Sequence, residues 1–181
     1  EVFSFEKVNK ASAKFDWDKL NWLNSQVIHD MSNEKLLKSL KSNWEKEGWN
    51  TQNKEWCLAL AELLKTSLTV LKDGVTQARP FFEEPKLNNE AIKQLDLPRA
   101  KESMKILLEQ LNRHPWDGMD HTHANELIQN ISKDSGIKKG LIMKTLRAAL
   151  LGELQGPDLL TTWGLLARAR KDRDRLGRAL L

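Results

Sequence analysis

The stretch Leu146-Arg-Ala-Ala-Leu-Leu-Gly-Glu-Leu-Gln-Gly-Pro-Asp-Leu-Leu160 decides the fold. Leu141, Ile142, Leu146, Ala149 and Leu150 recur at the spacing of a helix buried along one face, which predicts a helix over Lys138 to Leu151. The corner from Gly152 to Pro157 must break it, because Pro157 has no amide proton to continue the hydrogen-bond ladder. A second apolar helix is expected from Asp158 to Ala169. Arg147 is an isolated charge beside this rigid corner. A guanidinium forks two parallel hydrogen bonds onto a planar polar edge, and a stiff corner holds such a fork at fixed geometry. A helix-end ion pair is the other reading of the same residue.

Outward from this stretch the pattern stays helical. Helices are expected over Asp18 to Met31 (stripe Leu20, Leu23, Val27, Ile28, Met31) and from Ser32 to Lys46 (Leu36, Leu37, Leu40, Trp44). A third is expected from Asn53 to Lys72, ended by Asp73-Gly74, with Trp56, Leu60, Leu64, Leu68 and Leu71 inward. Arg79-Pro-Phe-Phe-Glu-Glu-Pro85 cannot be one helix, so a short helical turn is expected before Pro80 and a connector after it. Further helices follow from Pro98 to Arg113 and from Thr122 to Lys133, and a short one from Arg173 to Leu181. No segment sustains the two-residue alternation of a half-buried strand. The expected fold is all-α, two packed helical groups divided near residue 84, over 31–84 and 85–181.

The 181 residues carry a net charge of +4, distributed unevenly. Residues 137–181 hold ten Lys and Arg against four acids. Such clustering suits either a polyanionic partner or a solvated terminus. Cys57 is the only cysteine, so an internal disulfide and a cysteine metal cluster are excluded, and its apolar neighbours predict a buried thiol. No apolar run reaches membrane-span length, and the start Glu1-Val-Phe-Ser-Phe-Glu lacks the features of a signal peptide. With no initiator Met, the sequence reads as the interior of a longer protein.

Catalytic motifs are missing: no glycine-rich phosphate loop, no His-Glu-x-x-His and no Gly-x-Ser-x-Gly. Asp120-His-Thr-His123 offers too few ligands for a metal site and reads as a surface or capping pair. The seven tryptophans, mostly beside leucines, read as packing, with Trp49 and Trp116 freest to stack on a partner. Phe3, Phe5, Val8, Phe15 and Trp17, interleaved with Lys7, Lys10 and Lys14, suit a nucleic-acid surface or a self-packed loop. A binding module is therefore expected, with no catalytic residue and no metal.

Two blocks carry a resemblance. Phe3-Ser-Phe-Glu-Lys-Val-Asn-Lys10 with Lys14-Phe-Asp-Trp-Asp-Lys-Leu-Asn-Trp-Leu-Asn24 is similar to the segment after the catalytic domain of bacterial-type glutamyl-tRNA synthetases. Thr145-Leu-Arg-Ala-Ala-Leu150, with Gly156-Pro-Asp-Leu159, Leu165 and Leu166, resembles that family's anticodon-reading helix and corner. The middle, 45–135, matches only in helix layout.

The resemblance implies a stem-contact segment over 1–30 followed by two anticodon-binding helical subdomains. It implies that Arg147 faces the first anticodon base, that Gly156 and Pro157 lie near the second, and that Leu159 gives apolar support. Members restricted to glutamate tRNA carry an arginine near the position of Ser67, facing the third base, so serine here implies that glutamine tRNA is also accepted. Lys10, Lys14, Lys138, Lys139 and Lys144 are expected on the tRNA backbone. The implied protein is a monomeric class I glutamate–tRNA ligase of the bacterial cytoplasm, or of an organellar stroma or matrix. Its ATP and Mg sit in an upstream catalytic domain, and this chain itself has no cofactor. The rival readings are a helical protein-interaction module and the anticodon domain of another class I synthetase.

Overall fold

The computed structural model describes residues 16–113 and 119–181. The first-block phenylalanines, Lys10, Lys14 and Trp116 lie outside them. The described residues form ten helices and no strand. These are α1 (Trp17–His29), α2 (Asn33–Lys46), α3 (Lys54–Lys65), α4 (Asp73–Phe82), α5 (Asn89–Leu95), α6 (Pro98–Arg113), α7 (His121–Ser135), α8 (Lys139–Leu151), α9 (Leu159–Arg168) and α10 (Asp172–Arg178). Asp16, Ser32, Asn53, Asn88, Asp120 and Asp158 each cap a helix by accepting a bond from the amide three residues on.

α2, α3 and α4 pack together, while α8 is surrounded by α5, α6, α7, α9 and α10. α3 meets α9 between the two sets, and one apolar core runs through both. The anchors of that core are Trp44, Trp163 and the leucines of α2, α3, α8 and α9. Cys57 lies within it, and burial raises its thiol pKa.

The structure corrects the sequence in several places. The helix expected over Asn53 to Lys72 stops at Lys65, although Leu68 stays buried in the link that follows. Asp73-Gly74 does not end a helix but begins α4: the Asp73 carboxylate accepts bonds from the amides of Thr69 and Val70. Gly74 is there for close approach, since a Cβ on it would collide with Leu40, and its carbonyl accepts from Trp44 Nε1 at 2.9 Å.

Pro80 sits inside α4, where a turn and a connector are expected. It falls in the last turn, and the bond it cannot make is opposite the exposed Thr76. α5, which follows the connector, is a seven-residue helix too short for its periodicity to register.

Of the inward stripe expected on α1, Ile28 is buried and Met31 partly so, while Leu20, Leu23 and Val27 are exposed. Trp17 and Trp22, 67% and 59% exposed, are not packed into the core either. Trp49, expected to be free for a partner, is instead buried: it stacks on Phe82 with ring centroids 4.7 Å apart and donates to Glu83 at 2.8 Å.

Candidate nucleic-acid interface

The corner after α8 is built on two left-handed glycines. Gly152 caps α8 at φ 78°, and its carbonyl accepts from the Asn88 amide at 2.8 Å. A side chain there would run into the Lys86 carbonyl, so the connector before α5 passes directly against the corner. Gly156, at φ 137°, is exposed. A Cβ on it would stand 3.1 Å from Leu151 Cδ1 and 3.4 Å from Arg147 Nη1.

Arg147 reaches across this corner, and its Nη1 donates to the Pro157 carbonyl at 2.7 Å. It forms no ion pair among the described residues; Asp158 and Glu153 act on it only through space. Partial burial lowers its pKa against those two charges. Of the two readings open at the sequence level, the helix-end ion pair is thus not the one formed. One donor anchors the guanidinium at the corner, and its remaining N–H bonds have no protein acceptor among the described residues.

Asp158 completes the corner as the N-cap of α9, accepting from the Thr161 amide at 2.8 Å and hydroxyl at 2.7 Å. Burial pushes its pKa up, but these bonds and the charges of His121 and Arg147 outweigh it, and the net shift is downward. Leu159 is only 2% exposed and supports the corner from beneath. Asp120 is the cap of α7, and His123, at the surface, donates its amide to that carboxylate and sets its ring 2.8 Å from it.

Gly140, Lys144 and Arg147 share one stripe of α8 by their spacing of four and three. Lys138 and Lys144 are exposed, whereas Lys139 is half-buried and donates to Asn125 at 2.8 Å. No Cβ contact lies within 4 Å of Gly140, so the stripe is open there. Ser67 is exposed in the link after α3 and makes no bond to the corner. Its hydroxyl lies 2.8 Å from the Leu64 carbonyl and also faces the Gln77 amide oxygen. Gln77 Nε2 donates back to the Ser67 carbonyl at 3.2 Å. The structure therefore gathers Arg147, Gly156, Pro157 and Leu159 into one site and holds Ser67 separately, through α4.

Sequence reading missed the residues that fasten these parts together. Arg175 is 1% exposed and carries no carboxylate partner. Its Nη2 donates to the carbonyls of Pro80 (2.6 Å) and Glu83 (2.7 Å), and its Nη1 to that of Leu150 (2.6 Å). Lys171 Nζ takes the carbonyls of Phe81 (3.0 Å) and Phe82 (2.7 Å). The four carbonyls at the end of α4 are thus all held by two cations from the far end of the chain, and Arg175 also holds α8. Desolvation drives the Arg175 pKa down to about 10 and lowers that of Lys171.

Alongside runs a cleft of about 500 Å³ between Trp49, Trp56, Phe82 and Arg168. Three of its polar groups are already engaged: Trp49 with Glu83, Trp56 with the Leu165 carbonyl at 2.9 Å, and Lys171 with α4. Part of the C-terminal basic excess is therefore internal, while Arg178, at the surface, is paired with Glu84 at 3.0 Å. The signal for Arg175 was its place on the stripe Asp172, Arg175, Leu176, Ala179, whose first three members are buried.

Among the described residues no group of three or more His, Cys, Asp or Glu could hold a metal ion, and no helix is long and apolar enough to cross a membrane.

The sequence profile of the family described as "Anticodon binding domain" matches residues 28–180. The chain is 60% identical over 179 residues to a glutamate–tRNA ligase of Prochlorococcus marinus (strain MIT 9313) and 54% identical over 180 residues to one of Synechococcus sp. (strain CC9311). Each alignment covers 99% of this chain and 38% of the relative, so the chain spans well under half the length of these proteins. It also superposes on the crystal structure of a glutamate tRNA ligase from Elizabethkingia meningosepticum, with a TM-score of 0.84 and 27% identity, over 98% of this chain and 35% of that one.

Proposed function

The chain belongs to the anticodon binding domain family, and from that premise we propose that it reads the anticodon of glutamate tRNA for a glutamate–tRNA ligase. The observation that carries this reading is the Arg147 guanidinium, anchored to Pro157 by one donor and otherwise without a protein acceptor. Splayed bases of single-stranded RNA are recognised along their edges, and a pre-oriented fork loses little freedom in meeting one. Arg147 takes the first anticodon base, and the corner of Gly156, whose backbone is exposed, and Pro157 takes the second. Lys138 and Lys144 contact the backbone, as do Lys10 and Lys14 outside the described residues, while Lys139 is partly committed to Asn125.

In this reading the parent protein is a soluble monomer of the bacterial cytoplasm or an organelle, in which residues 1–30 lead from the stem of the tRNA, and 31–84 and 85–181 are the two reading subdomains. Ligation, with ATP and Mg, belongs to a catalytic domain outside this chain. Ser67, engaged by Gln77 and bearing no cation, leaves the third base without an arginine fork, so the glutamine tRNA is accepted as well.

The test is a titration of synthetic anticodon stem-loops by fluorescence anisotropy. Arg147→Ala is expected to weaken the glutamate loop by about 1–3 kcal/mol, the usual cost of one forked base contact. Affinity unchanged by that substitution sinks the reading at Arg147. Ser67→Arg should turn near-equal binding of the glutamate and glutamine loops into a preference for the glutamate loop.

A further inference from the structure

We propose that Arg175 is a positioning residue for anticodon reading: it sets the spacing between the Arg147 corner and the Ser67 link by riveting α4 to α8. The inference rests on the reading given under Proposed function and adds a specificity element that touches no RNA.

The path is short on both sides. Arg147 lies on α8 three residues before Leu150, whose carbonyl Arg175 holds. Gln77, which grips Ser67 at both its hydroxyl and its carbonyl, lies on α4 three residues before Pro80, whose carbonyl the same guanidinium holds. Each reading position is thus about one helical turn from one arm of a single planar group.

A guanidinium is rigid, so carbonyls bound to its two ends are held at a fixed separation. Lys171 braces the same helix end through Phe81 and Phe82. The α3 and α9 helices cross this junction with a tryptophan bond of their own, from Trp56 to Leu165. A joint made only for stability is better served by apolar side chains, because a buried cation without a carboxylate carries a desolvation cost. What the cation adds is direction: only one relative placement of α4 and α8 satisfies all three carbonyls.

The measurement uses the 181-residue chain and two synthetic stem-loops, one with the glutamate anticodon and one altered at its third base. In Ser67→Arg, which gives the third position a cation, discrimination between the loops depends on the distance from that position to the corner. Adding Arg175→Met to Ser67→Arg should narrow the ratio of the two affinities about fivefold, and Arg175→Lys should restore part of it. Circular dichroism and thermal melts establish that each variant is folded at the assay temperature. If Arg175→Met does not fold, Lys171→Gln replaces it and is expected to narrow the ratio by a smaller factor.

A discrimination ratio unchanged in folded variants, or a loss equal for both loops, overturns the positioning role. Those outcomes leave the reading at Arg147 standing. Its own failure shows separately, as an Arg147→Ala variant that binds the glutamate loop like the unsubstituted chain.

Discussion

Arg147 and Arg175 both donate to backbone carbonyls at the C-terminal side of α8, yet they are opposite in design. Arg147 is half-exposed and uses one donor on Pro157. Arg175 is fully buried, uses three on Leu150, Pro80 and Glu83, and leaves only Nε unpartnered. The first is anchored with bonding capacity to spare; the second has almost none left. A buried cation with nothing to offer a ligand is structural, and a half-buried one anchored by one bond but otherwise unsatisfied is available for recognition.

The largest effect that could break this contrast is on stability. Arg175→Met leaves three buried carbonyls without a donor and is expected to cost about 3 kcal/mol or more in urea unfolding. Arg147→Ala should cost under about 1 kcal/mol, because it removes a single bond to a carbonyl that is only part-buried. Equal destabilisation by the two would erase the distinction.

Next is Gly156→Val, where φ 137° disfavours any side chain and the new Cβ presses on Leu151 and Arg147 Nη1. It should lose about 1–2 kcal/mol of stability and weaken stem-loop binding as Arg147→Ala does. Binding retained at full strength would mean that the guanidinium need not be held where it is.

Asp158→Ala removes the α9 cap for about 1 kcal/mol. The Asp158 pKa is lower folded than unfolded, so its contribution is fully present above the ordinary aspartate range and is lost as pH falls through the folded value. A plot of stability against pH below about 4 should therefore flatten slightly in the variant relative to the parent chain. The smallest expected change is in salt dependence: Lys144→Ala should reduce the slope of log affinity against log salt by about 1, with no change in base preference.

Much of the fold was written in periodicity. The stripes of α2, α6, α8 and α9 are apolar at helical spacing, and the caps of α2 and α9, Ser32 and Asp158, stand where those helices begin. What escaped was local chemistry that periodicity averages away. Leu68 and Leu71 continue the stripe of α3 past its end, hiding the break that the Asp73 carboxylate makes. Gly74 looked like a stop because its fit against Leu40 depends on a helix distant in sequence.

At the site, Arg147 and its corner were legible because a lone charge between apolar helices is conspicuous. Arg175 was not, since Asp172-Arg-Asp-Arg-Leu-Gly-Arg178 reads as a solvated, charged tail until α4 and α8 are seen to end against it. The partner of Ser67 was likewise invisible, because Gln77 lies on a helix the sequence did not resolve.

The joint of Arg175 and Lys171 has one more consequence, for the response to solution conditions. Its five acceptors are peptide carbonyls, which do not titrate, and its guanidinium is out of reach of the ionic atmosphere. Lys144 and Arg147, on the stripe proposed to meet RNA, are exposed and half-exposed, where salt screens charges over about 10 Å. Raising ionic strength should thus strip a polyanion from the surface while the frame beneath keeps its shape. On the proposed reading, the chain should then release an RNA and remain folded to bind the next.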